Sequence, residues 1–95
     1  MGSYIVRMKV LPTGPEILPA QLLGSVKASL KENMVFRSSR EEQIAFGLYA
    51  LYVDVATPDT EGMIDKVEEA VAGAKDVAQS ELQVVSRLSS QLKNV

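Results

Sequence analysis

Twice in this chain a stretch whose apolar residues alternate is followed by one whose apolar residues recur about every four positions. Few small folds accommodate that succession. Tyr4-Ile5-Val6-Arg7-Met8-Lys9-Val10-Leu11 alternates, with Tyr4, Val6, Met8 and Val10 on one side and Ile5, Arg7, Lys9 and Leu11 on the other, as in a half-buried strand. Pro12, Gly14 and Pro15 end it. From Glu16 to Glu32 the spacing of Leu18, Leu22, Val26 and Leu30, with Leu23 alongside, predicts a helix whose first turn suits Pro19 and whose stop is Asn33. A second strand starts at Met34-Val35-Phe36-Arg37. It is expected to run out through a hairpin loop over the polar run Ser38–Gln43 to Ile44-Ala45-Phe46-Gly47.

The strongest strand pattern is Leu48 to Thr57, with Tyr49, Leu51, Val53 and Val55 on one face and Leu48, Ala50, Tyr52 and Asp54 on the other. Pro58-Asp59-Thr60 breaks it and offers Thr60 as a helix N-cap. Ile64, Val67, Val71 and Ala74 then repeat at helical spacing, with Glu61, Asp65, Glu68 and Glu69 on the opposite face and Gly73 at the close. Val77 to Leu88 reads as a last strand with Leu82, Val84 and Leu88 on one face, and Ser89 to Val95 as a frayed tail.

The order β-α-β-β-α-β predicts an α+β, ferredoxin-like sandwich: a four-stranded antiparallel sheet with two helices on one face. The two crossovers are expected to set strands one and three side by side and parallel, with two and four at the edges. On that layout the turn between strands two and three shares a pole with the end of strand four. Ala45-Phe46-Gly47 and Arg87-Leu88 should then be neighbours, a large apolar ring beside a cation, which are the ingredients of an interface hot spot.

Composition narrows the function. With 95 residues, 46% apolar and 23% charged, the chain reads as one globular domain, 1–88, with a tail over 89–95. Lysine plus arginine is 10 against 12 acidic residues, a net charge of −2, which argues against a dedicated nucleic-acid binder. There is no cysteine and no histidine, which removes thiolate metal sites, disulfides and the commonest general base. No apolar run reaches the length of a membrane span, and Val6 stands where an N-myristoylation motif needs Ser or Thr, so a cytoplasmic chain that does not engage membranes is expected.

No phosphate-binding glycine loop and no serine that a histidine could activate are present, so no catalytic residue, metal site or cofactor is expected. Asp65, Glu68 and Glu69 read as a solvated helix face, because a hard-cation cage needs oxygens converging from several segments. Phe46-Gly47-Leu48-Tyr49-Ala50-Leu51-Tyr52 has a surface likeness to a strand that stacks RNA bases. Tyr49 and Tyr52 are three apart, however, and point to opposite faces. On residue type alone Phe46 reads sooner as a ring closing the core at a hairpin, and Arg87 as a solvated edge-strand cation.

Ile44-Ala45-Phe46-Gly47-Leu48, then Pro58-Asp59, Asp65-Lys66-Val67-Glu68-Glu69-Ala70 and the closing Arg87-Leu88 resemble archaeal elongation factor 1-beta. The Met1-Gly2 start and the Val6–Lys9–Val10 strand followed by Pro12 extend the resemblance to nearly the whole chain. The resemblance implies a guanine nucleotide exchange factor, not an enzyme, for elongation factor 1-alpha, the GTPase that carries aminoacyl-tRNA to the ribosome. It implies that Phe46, Gly47, Arg87 and Leu88 form the GTPase interface, acting on its bound GDP and Mg²⁺. The other readings are an RNA-binding module on the open sheet face and a small-molecule regulatory domain of ferredoxin-like fold.

Overall fold

Alternation along the strands becomes burial on one side. In the computed structural model, which describes residues 2–45 and 47–89, the elements are β1 (Gly2–Pro12), α1 (Pro19–Ser29), β2 (Val35–Ala45), β3 (Leu48–Pro58), α2 (Met63–Ala72) and β4 (Val77–Ser89). Val6, Met8 and Val10 of β1 and Leu51, Val53 and Val55 of β3 are at most 1% exposed. Leu22 and Val26 from α1 and Val67 and Val71 from α2 close over them in one apolar cluster. Each such side chain contributes about 1.5–3 kcal/mol by leaving water. The fold is the expected ferredoxin-like α+β sandwich, with the sheet order β2-β3-β1-β4.

The helix ends follow local chemistry. Pro19 stands at the start of α1, where a missing N–H costs nothing, and Leu22 N–H donates to the Leu18 carbonyl at 2.9 Å. The expected Thr60 cap gives way to Gly62, which takes φ 84° and lets the chain leave β3 and turn directly into α2. Thr60 lies too early to cap. Its carbonyl instead accepts from Met63 N–H at 3.3 Å. At the other end Gly73 N–H donates to the Glu69 carbonyl at 3.0 Å, as the glycine suggested.

Three expectations need correction. First, β1 and β3 are antiparallel neighbours, in register from Ser3↔Pro58 to Val10↔Leu51. Each crossover joins strands that run the same way but are not adjacent: β1 to β2 with β3 between, and β3 to β4 with β1 between. Second, the polar run Ser38–Gln43 is not loop but the body of β2, paired from Val35↔Ala56 to Ala45↔Leu48. It is polar because an edge strand whose faces are mostly exposed needs no apolar side chains. Third, the β1–β4 register shifts between Arg7 and Met8, which pair with Val84 and Leu82. That bulge at Gln83 puts Leu82 on the helix side with Met8, and Val84 on the open side with Arg7, so the two do not share a face. The expected tail begins in β4, which ends at Ser89; residues 90–95 lie outside the described set.

Among the described residues one core residue is polar. Thr57 is 2% exposed, and its hydroxyl has no hydrogen-bond partner among the described residues. Thr57→Val keeps the shape and removes an unpaired donor, so it is expected to raise the unfolding free energy by about 1 kcal/mol in urea titration. A loss of stability would show that the hydroxyl is satisfied in solution.

Candidate functional site

At one end of the sheet the β1–β3 ladder stops before β3 does. The last β1 partner of β3 is Leu51, opposite Val10, so Leu48, Tyr49 and Ala50 lie beyond that ladder and pair only with β2. The turn closes through Gly47 at φ 75°, a left-handed conformation that costs an L side chain roughly 1–2 kcal/mol. A second register shift in β2, between Gln43 and Ala45, leaves Ile44 unpaired and 39% exposed, and Tyr49 nearby is 41% exposed. The hairpin tip thus offers apolar surface on either side of residue 46. Phe46 itself lies outside the described residues.

Arg87 is at the opposite end. It pairs with Tyr4, and Tyr4 pairs with Thr57 near the close of β3. From Gly47 to Thr57 is about 33 Å at a strand's rise of about 3.3 Å per residue. The expected neighbourhood of Ala45 and Gly47 with Arg87 therefore does not exist. Because β4 runs antiparallel to β1, its last residues return to the end where β1 begins, while the hairpin lies where β1 stops. Arg87 Nη2 donates to Asp59 Oδ2 at 2.8 Å, with the arginine side chain 67% exposed and the aspartate 22%. Tyr4, Asp59, Thr60, Glu61, Ile64 and Asp65 line a cavity of about 490 Å³ at this end. The backbone of Leu88 pairs with Ser3, while its side chain lies outside the described set.

Between the two ends runs the face away from the helices. Arg7 grips Asp54 with two nitrogens, at 2.8 and 3.1 Å, and Ser38 Oγ donates to the same carboxylate at 3.3 Å. These bonds, Arg7's first, hold the Asp54 carboxyl below its ordinary value of 3.8 against the opposing effect of burial. Tyr52 Oη donates to Glu42 at 2.9 Å, which pushes the phenol up, and the Arg40 guanidinium stacks 5.2 Å from its ring. Tyr52 faces this side and Tyr49 the other, as their spacing requires. No group of three or more acidic side chains that could hold a metal occurs among the described residues, and no helix there is long and apolar enough to cross a membrane.

The EF-1 guanine nucleotide exchange domain profile matches residues 5–88. The chain belongs to that family. Elongation factor 1-beta of Methanococcus maripaludis is 36% identical over 83 residues, which are 86% of this chain and 93% of that protein. Elongation factor 1-beta of Natronomonas pharaonis is 35% identical over 88 residues, 93% and 100% of the two chains, and that of Methanocaldococcus jannaschii 32% over 87 residues. Ile44, Gly47, Tyr49, Asp59 and Arg87 all fall within the matched residues. Among solved structures, the C-terminal domain of MgtC from Mycobacterium tuberculosis has a TM-score of 0.49 at 13% identity, covering 87% of this chain and 86% of that one.

Sequence reasoning missed the exposed Ile44 and Tyr49 and the Asp59 partner of Arg87. A bulge leaves no mark in the spacing of residues, and a pair 28 positions apart shows only once the ladders are known. The Arg7–Asp54 pair generates a pH test. A depressed carboxyl stabilises the fold above its unfolded value, near 3.8, and that stability is lost as pH falls through the lower folded value. Asp54→Asn should therefore be less stable than wild type at neutral pH and lose less stability between about pH 5 and pH 2, measured by urea unfolding at each pH.

Proposed function

We propose that this exchange-domain chain promotes release of GDP from elongation factor 1-alpha, and that it does so by touching the GTPase at both ends of its sheet. The observation that carries the reading is the match of the exchange-domain profile across residues 5–88. The shape of the two ends supports the division of labour. The hairpin tip has exposed apolar side chains at Ile44 and Tyr49 near the Gly47 turn, while the far end has the exposed guanidinium of Arg87.

The physics of exchange needs two such contacts. GDP is held through its phosphates and Mg²⁺, so a cation brought near the metal raises the cost of keeping it there. That approach is unfavourable alone and needs binding energy from elsewhere. An apolar anchor at the hairpin supplies it, since buried aromatic and aliphatic contacts carry most interface energy. By linkage, a factor that binds the nucleotide-weakened GTPase more tightly must lower the affinity for GDP by the same factor. Release is accelerated and no covalent bond is made or broken.

Release of a fluorescent GDP analogue from the cognate elongation factor 1-alpha, with this chain in substoichiometric amount, tests the reading. Wild type should speed release many-fold with turnover. Phe46→Ala should weaken binding, raising the concentration needed for half-maximal effect about 10-fold or more, while the domain stays folded. Arg87→Ala should lower the maximal release rate with a smaller effect on binding. An unchanged release rate with wild type would refute the exchange function. Unfolding of Phe46→Ala would make Phe46 a core residue.

A further inference from the structure

We propose that Asp59 is a positioning residue for Arg87, anchoring one guanidinium nitrogen so that the remaining donors stand ready for an anionic group of the GTPase. The proposal rests on the exchange-factor reading above and names a residue that reading does not use.

Among the described residues there are two arginine–aspartate pairs, and they differ in kind. Arg7–Asp54 is closed: two arginine nitrogens are engaged, a serine hydroxyl is added, and the Asp54 side chain is 16% exposed. Arg87–Asp59 is open. Among the described residues a single nitrogen is bonded, at 2.8 Å, and the arginine side chain is 67% exposed. A guanidinium has five N–H donors in a rigid fork, so anchoring one nitrogen leaves the others for a phosphate or carboxylate oxygen.

The anchor comes from a different element than the group it holds. Arg87 sits near the end of an edge strand, opposite Tyr4, and Tyr4 is opposite Thr57. Its side chain therefore reaches across β1 to the segment that follows β3, where Asp59 is the less exposed member of the pair at 22%. Backbone turns brace that segment: Met63 N–H bonds Thr60 O at 3.3 Å, and Gly62 turns through φ 84° into α2. A long, exposed arginine with no such anchor would lose its rotamer freedom only on binding, at the expense of affinity for the transition state of release. Held in advance, it meets the partner already ordered.

The test is a double-mutant cycle on GDP release, with maximal rate and half-saturating concentration read separately. Asp59→Asn should lower the maximal rate roughly two- to five-fold, the range expected of an exposed ion pair, with half-saturation nearly unchanged. Asp59→Glu should restore most of the loss. In an Arg87→Ala background Asp59→Asn should have no further effect. Equal losses in both backgrounds, tracking a fall in melting temperature, would make Asp59 merely structural and overturn the proposal. So would wild-type release by Asp59→Asn beside an impaired Arg87→Ala. If Arg87→Ala itself releases GDP as wild type does, Arg87 is not at the interface: the proposal falls while the exchange reading stands. Failure of wild type to speed release would remove both.

Discussion

The antiparallel ladder between β1 and β3 is the constraint on which everything else depends. It runs from Ser3↔Pro58 to Val10↔Leu51 at the centre of the sheet and puts Val6, Met8 and Val10 beside Leu51, Val53 and Val55 under both helices. Once those two strands are antiparallel, each crossover must return its strand to an outer edge, β2 beyond β3 and β4 beyond β1. The directions of all four strands follow, and with them the separation of the β2–β3 turn from the end of β4. A sheet that is one core for stability is therefore also a spacer about 33 Å long between two surface features.

Much of this was legible in the residues. The order of six elements, the buried faces of β1 and β3, Pro19 at the start of α1 and Gly73 at the end of α2 follow from side-chain period and backbone chemistry. Pattern fails where it carries no information on direction or register. Alternation says that Tyr4, Val6 and Met8 share a face, but not whether the neighbouring strand runs up or down. That one unknown reversed the expected position of Arg87 relative to Gly47. A bulge at Gln83 broke the spacing rule for Leu82 and Val84 in the same way. Ser38–Gln43 looked like loop because polarity marks exposure, and an edge strand is exposed too.

The functional side was legible in a different manner. Side-chain pattern pointed to Phe46 and Arg87 only through a strand layout that the antiparallel β1–β3 ladder rules out, whereas the resemblance carried through the Ala45-Phe46-Gly47-Leu48 stretch and the closing Arg87-Leu88 named them independently of layout. Membership of the EF-1 guanine nucleotide exchange domain family now rests on the match over residues 5–88 and on archaeal elongation factor 1-beta relatives at about a third identity. The geometry changes what that membership can mean. Gly47 and Arg87 stand at opposite ends of the sheet, so on the proposed reading one partner touching both must extend along its length, with the hairpin end supplying affinity and the guanidinium end reaching what the partner holds.

Chemical-shift mapping of the isotopically labelled chain, titrated with GDP-bound elongation factor 1-alpha, tests this two-ended engagement most directly. The account predicts two separated sets of shifted amides, one over residues 44–49 and one over 57–62 together with 86–87, with the outer surfaces of α1 and α2 unmoved. Shifts confined to one end of the sheet, or centred on the helices, would contradict it.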